Sequence, residues 1–238
     1  MISKILVIVW GVVSISFLFA STQYPKHNSP TVFYRNDGSI MARVWQLGKK
    51  PHREDGPAKI VYREDGSVME EGWWIEGKLH RLDGPAKTWY RDDGNIEQEE
   101  WWVDGRKHRL KGPSFIAYRE DVGVETAEWW VEGKRHRFGG PAFITYRKDG
   151  SIKIEEWWVE GKRHRENDPA YVLYYKNGNV FSEFWYFEGN LHRRNGPAQI
   201  WYKKDGSVEE EVWWVRGRFH IKEESQSYRT INSIDKDF

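Results

Sequence analysis

Apolar residues are distributed along this chain in two ways. Residues 5–20 form an unbroken uncharged run, ILVIVWGVVSISFLFA, whereas from Thr31 onward apolar positions come in short segments such as KTWY, EEWWV and FITY, bounded by Asp-Gly, Glu-Gly or Gly-Pro. Within the later segments successive side chains suit opposite faces of a strand. Glycine-containing dipeptides between strand-like runs are hairpin turns, because both central positions of the tight turn need positive φ. No apolar segment beyond residue 20 has helical period. The body of the chain is therefore predicted to be all-β.

The segments return at a fixed interval. EWWVEGKRHR at residues 128–137 recurs unchanged at 156–165, and a histidine recurs every 28 residues, at His52, His80, His108, His136, His164, His192 and His220. Tyrosine does the same from Tyr34 to Tyr202. Short connections that each reverse the chain permit only antiparallel neighbours. Seven 28-residue repeats over residues 31–222 thus predict an elongated antiparallel β-hairpin ribbon.

One repeat sets the expected register. A hairpin centred on Asp104-Gly105 places Val103 opposite Arg106, Trp102 opposite Lys107, Trp101 opposite His108 and Glu100 opposite Arg109. In the last copy Val212 and Ile221 replace the acid and the arginine together, as direct cross-strand neighbours would. A Gly-Pro-Ala kink follows each His-Arg pair, as at Gly84-Pro85-Ala86, with Ser114 after Pro113 and Asp168 before Pro169. Proline offers no ladder donor, so the kink marks a strand break.

The ends differ from the array. Residues 1–20 carry Lys4 ahead of the apolar run, whose 16 residues span about 24 Å as a helix, short of a hydrocarbon core of about 30 Å. That pattern predicts a secretory signal peptide, with an uncleaved signal anchor through residues 5–20 as the alternative. Secretion or an extracytoplasmic place, or membrane attachment, is the corresponding expectation. Residues 21–30 read as a linker, and 223–238 as a polar tail without regular structure.

Composition narrows the chemistry. With 37 basic and 36 acidic residues there is no global field to select nucleic acid, and the absence of cysteine excludes disulfides, thiolate metal sites and cysteine nucleophiles. The recurring histidines keep the same neighbours in every copy, whereas catalysis needs one asymmetric constellation. Equivalent positions in adjacent repeats lie about 10 Å apart, too far to share one ion. His80, His108, His136, His164, His192 and His220 are accordingly assigned structural roles, with no catalytic residue, metal site or cofactor. The tryptophans form two sets. Trp73, Trp101, Trp129, Trp157, Trp185 and Trp213 are the structural set, and Trp74, Trp102, Trp130, Trp158, Tyr186 and Trp214 line the opposite face as a candidate ligand or interface stripe.

A strand ending in Trp73, a turn with Gly77-Lys78, then His80, Gly84, Tyr90 and Gly94, resembles a MORN repeat, and the resemblance covers roughly residues 31–222. This unit is longer, and where that family has glycine after the histidine the chain has Arg81, Arg109, Arg137, Arg165 and Arg193. It looks closer to a longer variant with a Gly-Lys-x-His-Arg-x-x-Gly-Pro-Ala signature, found in viral and bacterial repeat proteins. The resemblance implies a single-layer antiparallel ribbon and roles in scaffolding, dimerisation and phospholipid contact.

These readings combine into a non-enzymatic repeat scaffold or binding module that makes protein–protein contacts, with a partner protein or with itself. The alternative is a module that binds carbohydrate or a phospholipid headgroup through an exposed tryptophan stripe.

Overall fold

The structure, a computed structural model, describes residues 29–222 and, as backbone, residues 228–230. The expected signal segment, most of the linker and most of the tail lie outside the described residues. Among the described residues no helix is long and apolar enough to cross a membrane.

The array is all-β. A 16-stranded antiparallel sheet runs in chain order from the amino-terminal to the carboxy-terminal end, skipping a two-stranded hairpin after every second strand through Val180–Phe184. Each unit adds a four-residue strand such as Lys87–Tyr90 and a five-residue strand such as Ile96–Glu100. The turn between them is fixed locally. Asp93 accepts from the Asn95 backbone N–H at 2.9 Å, and Gly94 supplies the left-handed step at φ 81°. One residue beyond the turn, Glu97, is bulged out as the register shifts between Ile96 and Gln98, which bends the strand and adds right-handed twist.

The second turn of each unit builds a separate element. Trp102–Val103 and Arg106–Lys107 close around Asp104-Gly105, with φ of 48° and 76°, and pair Trp102 with Lys107 and Val103 with Arg106 as the sequence predicts. These short hairpins stand off the main sheet, and the chain forks at Trp101. Its N–H donates to Ser114 O at 2.8 Å while its carbonyl accepts from His108 N at 3.1 Å. The expected rung between Glu100 and Arg109 does not form. Glu100 pairs instead with Lys87 on one side and Phe115 on the other, because the Gly112-Pro113 bend returns the chain to the sheet. Only the seventh unit, which has no Gly-Pro after His220, keeps one unbroken strand, Val208–Val215, paired with Arg218–Lys222. Tyr228–Thr230 then adds a last strand, paired with Arg218–Lys222, within the stretch read as a polar tail.

A single layer has no interior thick enough for large side chains, and burial follows that limit. Ala58, Ala86, Ala142, Ala170 and Ala198 are 0% exposed, and Ser114 matches them in the third unit. They sit at the forks, one per unit, so the core is a line of small residues flanked by half-buried rings. With each unit taken to end on its fork residue, unit three is residues 87–114 and unit four 115–142.

Successive units are tied at both edges. At the long-hairpin edge Arg91 donates to its own turn at Ile96 O (2.8 Å) and to Tyr118 O in the next unit. At the short-hairpin edge the turn N–H of Gly105 donates to Leu79 O of the preceding unit at 2.9 Å. The Asp104 N–H donates to His80 Nδ1 at 3.2 Å.

Candidate functional site

Adjacent strand residues point to opposite faces, so the paired tryptophans divide the ribbon into two chemical surfaces. On one, the candidate stripe is half-buried and pinned. The indole N–H groups of Trp102, Trp130 and Trp158 donate to Glu100, Glu128 and Glu156 at 2.8, 2.6 and 2.7 Å. Each carboxylate also holds a cation from the short hairpin, through Lys107 (2.9 Å), Arg135 (3.0 Å) and Arg163 (2.9 Å). Those cations lie between the rings. Arg135 is 5.1 Å from the Trp130 centroid and 4.9 Å from Trp158, and Arg163 is 5.1 Å from Trp158 and 5.4 Å from Tyr186. The stripe is a zipper of rings, cations and carboxylates. At its ends Trp214 donates to Gln199 at 2.7 Å, and Trp74, where Gly72 replaces the acid, has a buried N–H with no acceptor among the described residues.

On the other surface lies the set assigned to structure. The guanidinium that follows each histidine stacks on the first tryptophan at 3.8 to 4.2 Å, Arg81 on Trp73, Arg109 on Trp101, Arg137 on Trp129, Arg165 on Trp157 and Arg193 on Trp185 among them. Trp213, in the unit where Ile221 replaces the arginine, pairs its backbone with His220. Beside several of the stacks a glutamate meets the tyrosine of the next unit. Tyr90 donates to Glu71 at 3.0 Å, Tyr118 to Glu99 at 2.7 Å and Tyr174 to Glu155 at 3.3 Å. Burial, and then the neighbouring carboxylate, pushes Tyr90 and Tyr174 up to about 12.

The histidines bridge units. His52, His80, His108, His136, His164 and His192 each accept at Nδ1 from the turn N–H of the following unit, at 3.1 to 3.3 Å. Among the described residues no three His, Asp or Glu side chains gather as a metal site.

Two features were not singled out from sequence. The arginine after five of the seven strand tyrosines, Arg35, Arg63, Arg91, Arg119 and Arg147, ties the long turns together, a role hinted at only by its 28-residue recurrence, and the Tyr175 hydroxyl takes its place in unit six. The glutamate column 71, 99, 155, 183 and 211 is broken by Ala127 in unit four. A hollow of 650 Å³ opens there, lined by Pro113, Ile116, Val124, Ala127, Trp129 and Tyr146 among others.

Exposed apolar groups mark one edge. Leu82, Leu110 and Phe138 follow the His-Arg pair in three successive units and are 79%, 74% and 83% exposed. Glu54 and Glu166, also exposed, hold the same position on either side of that row.

Comparison with known proteins adds little to this geometry. No family model matches the chain, and no curated protein matches it. Among solved structures, alternansucrase in complex with isomaltononaose aligns at 13% identity over 87% of this chain and 16% of that one, with a TM-score of 0.17. A likeness at that level carries no argument about fold or function.

Proposed function

We propose that the protein is a non-enzymatic, MORN-like scaffold whose ribbon holds a partner protein along its short-hairpin edge. The observation that carries this reading is the row of Leu82, Leu110 and Phe138, three large apolar side chains left in solvent at one position of consecutive units. Apolar groups in register on a monomer's surface favour a protein contact. Their pitch is two strand spacings, about 9.6 Å. Residues seven apart on an α-helix rise about 10.5 Å, so an amphipathic helix can set one apolar side chain beside each tip, and Glu54 and Glu166 bound the contact. The aromatic stripe is a weaker candidate for carbohydrate or lipid headgroups, because along its middle carboxylates already occupy the N–H groups of Trp102, Trp130 and Trp158 and cations the spaces between the rings. Residues 1–20 would direct the scaffold out of the cytoplasm or hold it at a membrane.

Photo-crosslinking tests the reading. With benzoylphenylalanine at Leu82, Leu110 or Phe138, the source cells should yield the same discrete protein adduct, absent with the probe at Glu54 or Glu166. No adduct, or an identical pattern from the flanking positions, would overturn the assignment. An adduct of twice the chain mass would make the partner a second copy and overturn the helical occupant.

A further inference from the structure

At the hollow in unit four several departures from the repeat fall at one place. Where units two, three, five and six have Glu71, Glu99, Glu155 and Glu183, and unit one has Arg43, this one has Ala127 under Tyr146. The neighbouring arginine remains. Arg137 stacks on Trp129 at 3.8 Å, and burial holds it below the usual guanidinium range. Its counterpart Arg109 faces both Glu99 and Tyr118; Arg137 faces the neutral phenol of Tyr146 without such a carboxylate.

The turn above is altered as well. Val122 takes the left-handed position, at φ 57°, that glycine fills in the other long turns, and Gly123 takes the place of Ser or Asn. A β-branched residue there is strained by about 1–2 kcal/mol. The change moves the unit's arginine. Arg119 reaches Tyr146 O at 3.3 Å, and its buried Nε makes no hydrogen bond among the described residues, with Asp121 Oδ1 at 3.4 Å. A Cβ on Gly123 would stand 2.6 Å from Arg119 Nη2, so a Ser or Asn at 123 would require that arginine to move. Backbone strain of this kind collects where a site needs an unusual shape.

We propose that this hollow is a binding site for a small amphipathic carboxylate, an acid with an apolar or aromatic body. Its carboxylate takes the seat of the missing glutamate, accepting from the Tyr146 hydroxyl and facing Arg137. Its body lies on Ile116, Val124, Pro113 and the edge of Trp129. The hollow's charged lining is complementary, with Arg119 and Lys148 against Asp149, and Asp149 is already engaged by the Ser151 N–H at 2.9 Å and hydroxyl at 2.6 Å. The units with Glu71, Glu99 and Glu155 are the internal control, since each fills the same seat with its own carboxylate. This site is independent of the apolar row at the edge.

Calorimetric titration of the full chain with 4-phenylbutyrate, and with 4-phenylbutanol as the uncharged match, tests the proposal. The acid should bind saturably and the alcohol at least about tenfold more weakly. Ala127→Glu restores the pattern of the other units, and should abolish acid binding while raising the melting temperature. Tyr146→Phe keeps the ring and removes only the hydroxyl, so it should weaken the acid by about tenfold and leave the alcohol unchanged. Absence of saturable binding to the wild-type chain, equal binding of acid and alcohol, or undiminished acid binding by Ala127→Glu would each overturn it.

Discussion

The two edges of the ribbon meet the same need with different chemistry. At each, a side chain from one unit satisfies a backbone group of the next, a carbonyl at the long-hairpin edge and a turn N–H at the short-hairpin edge. The long edge uses arginine, which is charged at every pH the protein meets and can only donate. The short edge uses histidine, which accepts at Nδ1 only while that nitrogen carries no proton. One tie is unconditional and the other is not. The neighbourhood of the histidine then decides what acid does. Near His80 and His108 a turn carboxylate, Asp104 or Glu132, lies 2.9 or 3.0 Å from Nδ1. His192 has Arg216 at that position and Arg194 beside it, with the Phe187 ring 5.9 Å away.

The comparison can be broken by removing one tie at a time. Arg91→Leu deletes two hydrogen bonds from a charged donor and should cost about 2 kcal/mol, read as a lower urea midpoint. His108→Phe keeps a ring and deletes one neutral bond, for a loss of about 1 kcal/mol. The reverse ranking would mean that the short edge, not the long one, holds the units together. The smallest effect is one of pH. Burial first, then the charges of Arg194 and Arg216, lower His192 below its ordinary 6.5. The unfolded chain therefore binds this proton more readily, so the tie's contribution is complete above about 6.5 and declines as pH falls toward the lower folded value. Arg216→Glu, which copies the other units, should raise the His192 midpoint in an NMR titration and reduce the acid loss. An unchanged midpoint would exclude Arg216 as the cause.

Local chemistry made the repeat, the turns and the Trp102–Lys107 register legible in sequence, since a two-residue turn dictates its own flanking pairs. The fork was not legible, and the misreading has a definite source. The exchange of Val212 and Ile221 for Glu and Arg comes from the seventh unit, where the strand does run on through Val215; in the earlier units the Gly-Pro bend intervenes, and Glu100 finds Phe115 instead. Pairings at a separation of 24 residues, as between His80 and Asp104, depend on how one unit seats on the next. Such contacts follow from the fold, not from any local signal. Ala127 stood in plain view as a gap in a column of acids, but its meaning required knowing that Tyr146 lies over it.

The unbranched order of the sheet makes the ribbon, in mechanical terms, a set of links in series. With no second layer among the described residues to share a load, tension between the ends falls in full on every junction, and the weakest opens first. The junction of units four and five is a candidate. There the glutamate–tyrosine bond is missing, and the arginine tie is lengthened to 3.3 Å. If it parts first, the ribbon carries a fuse near its middle, and an acid seated over Ala127 would raise the force at which it parts.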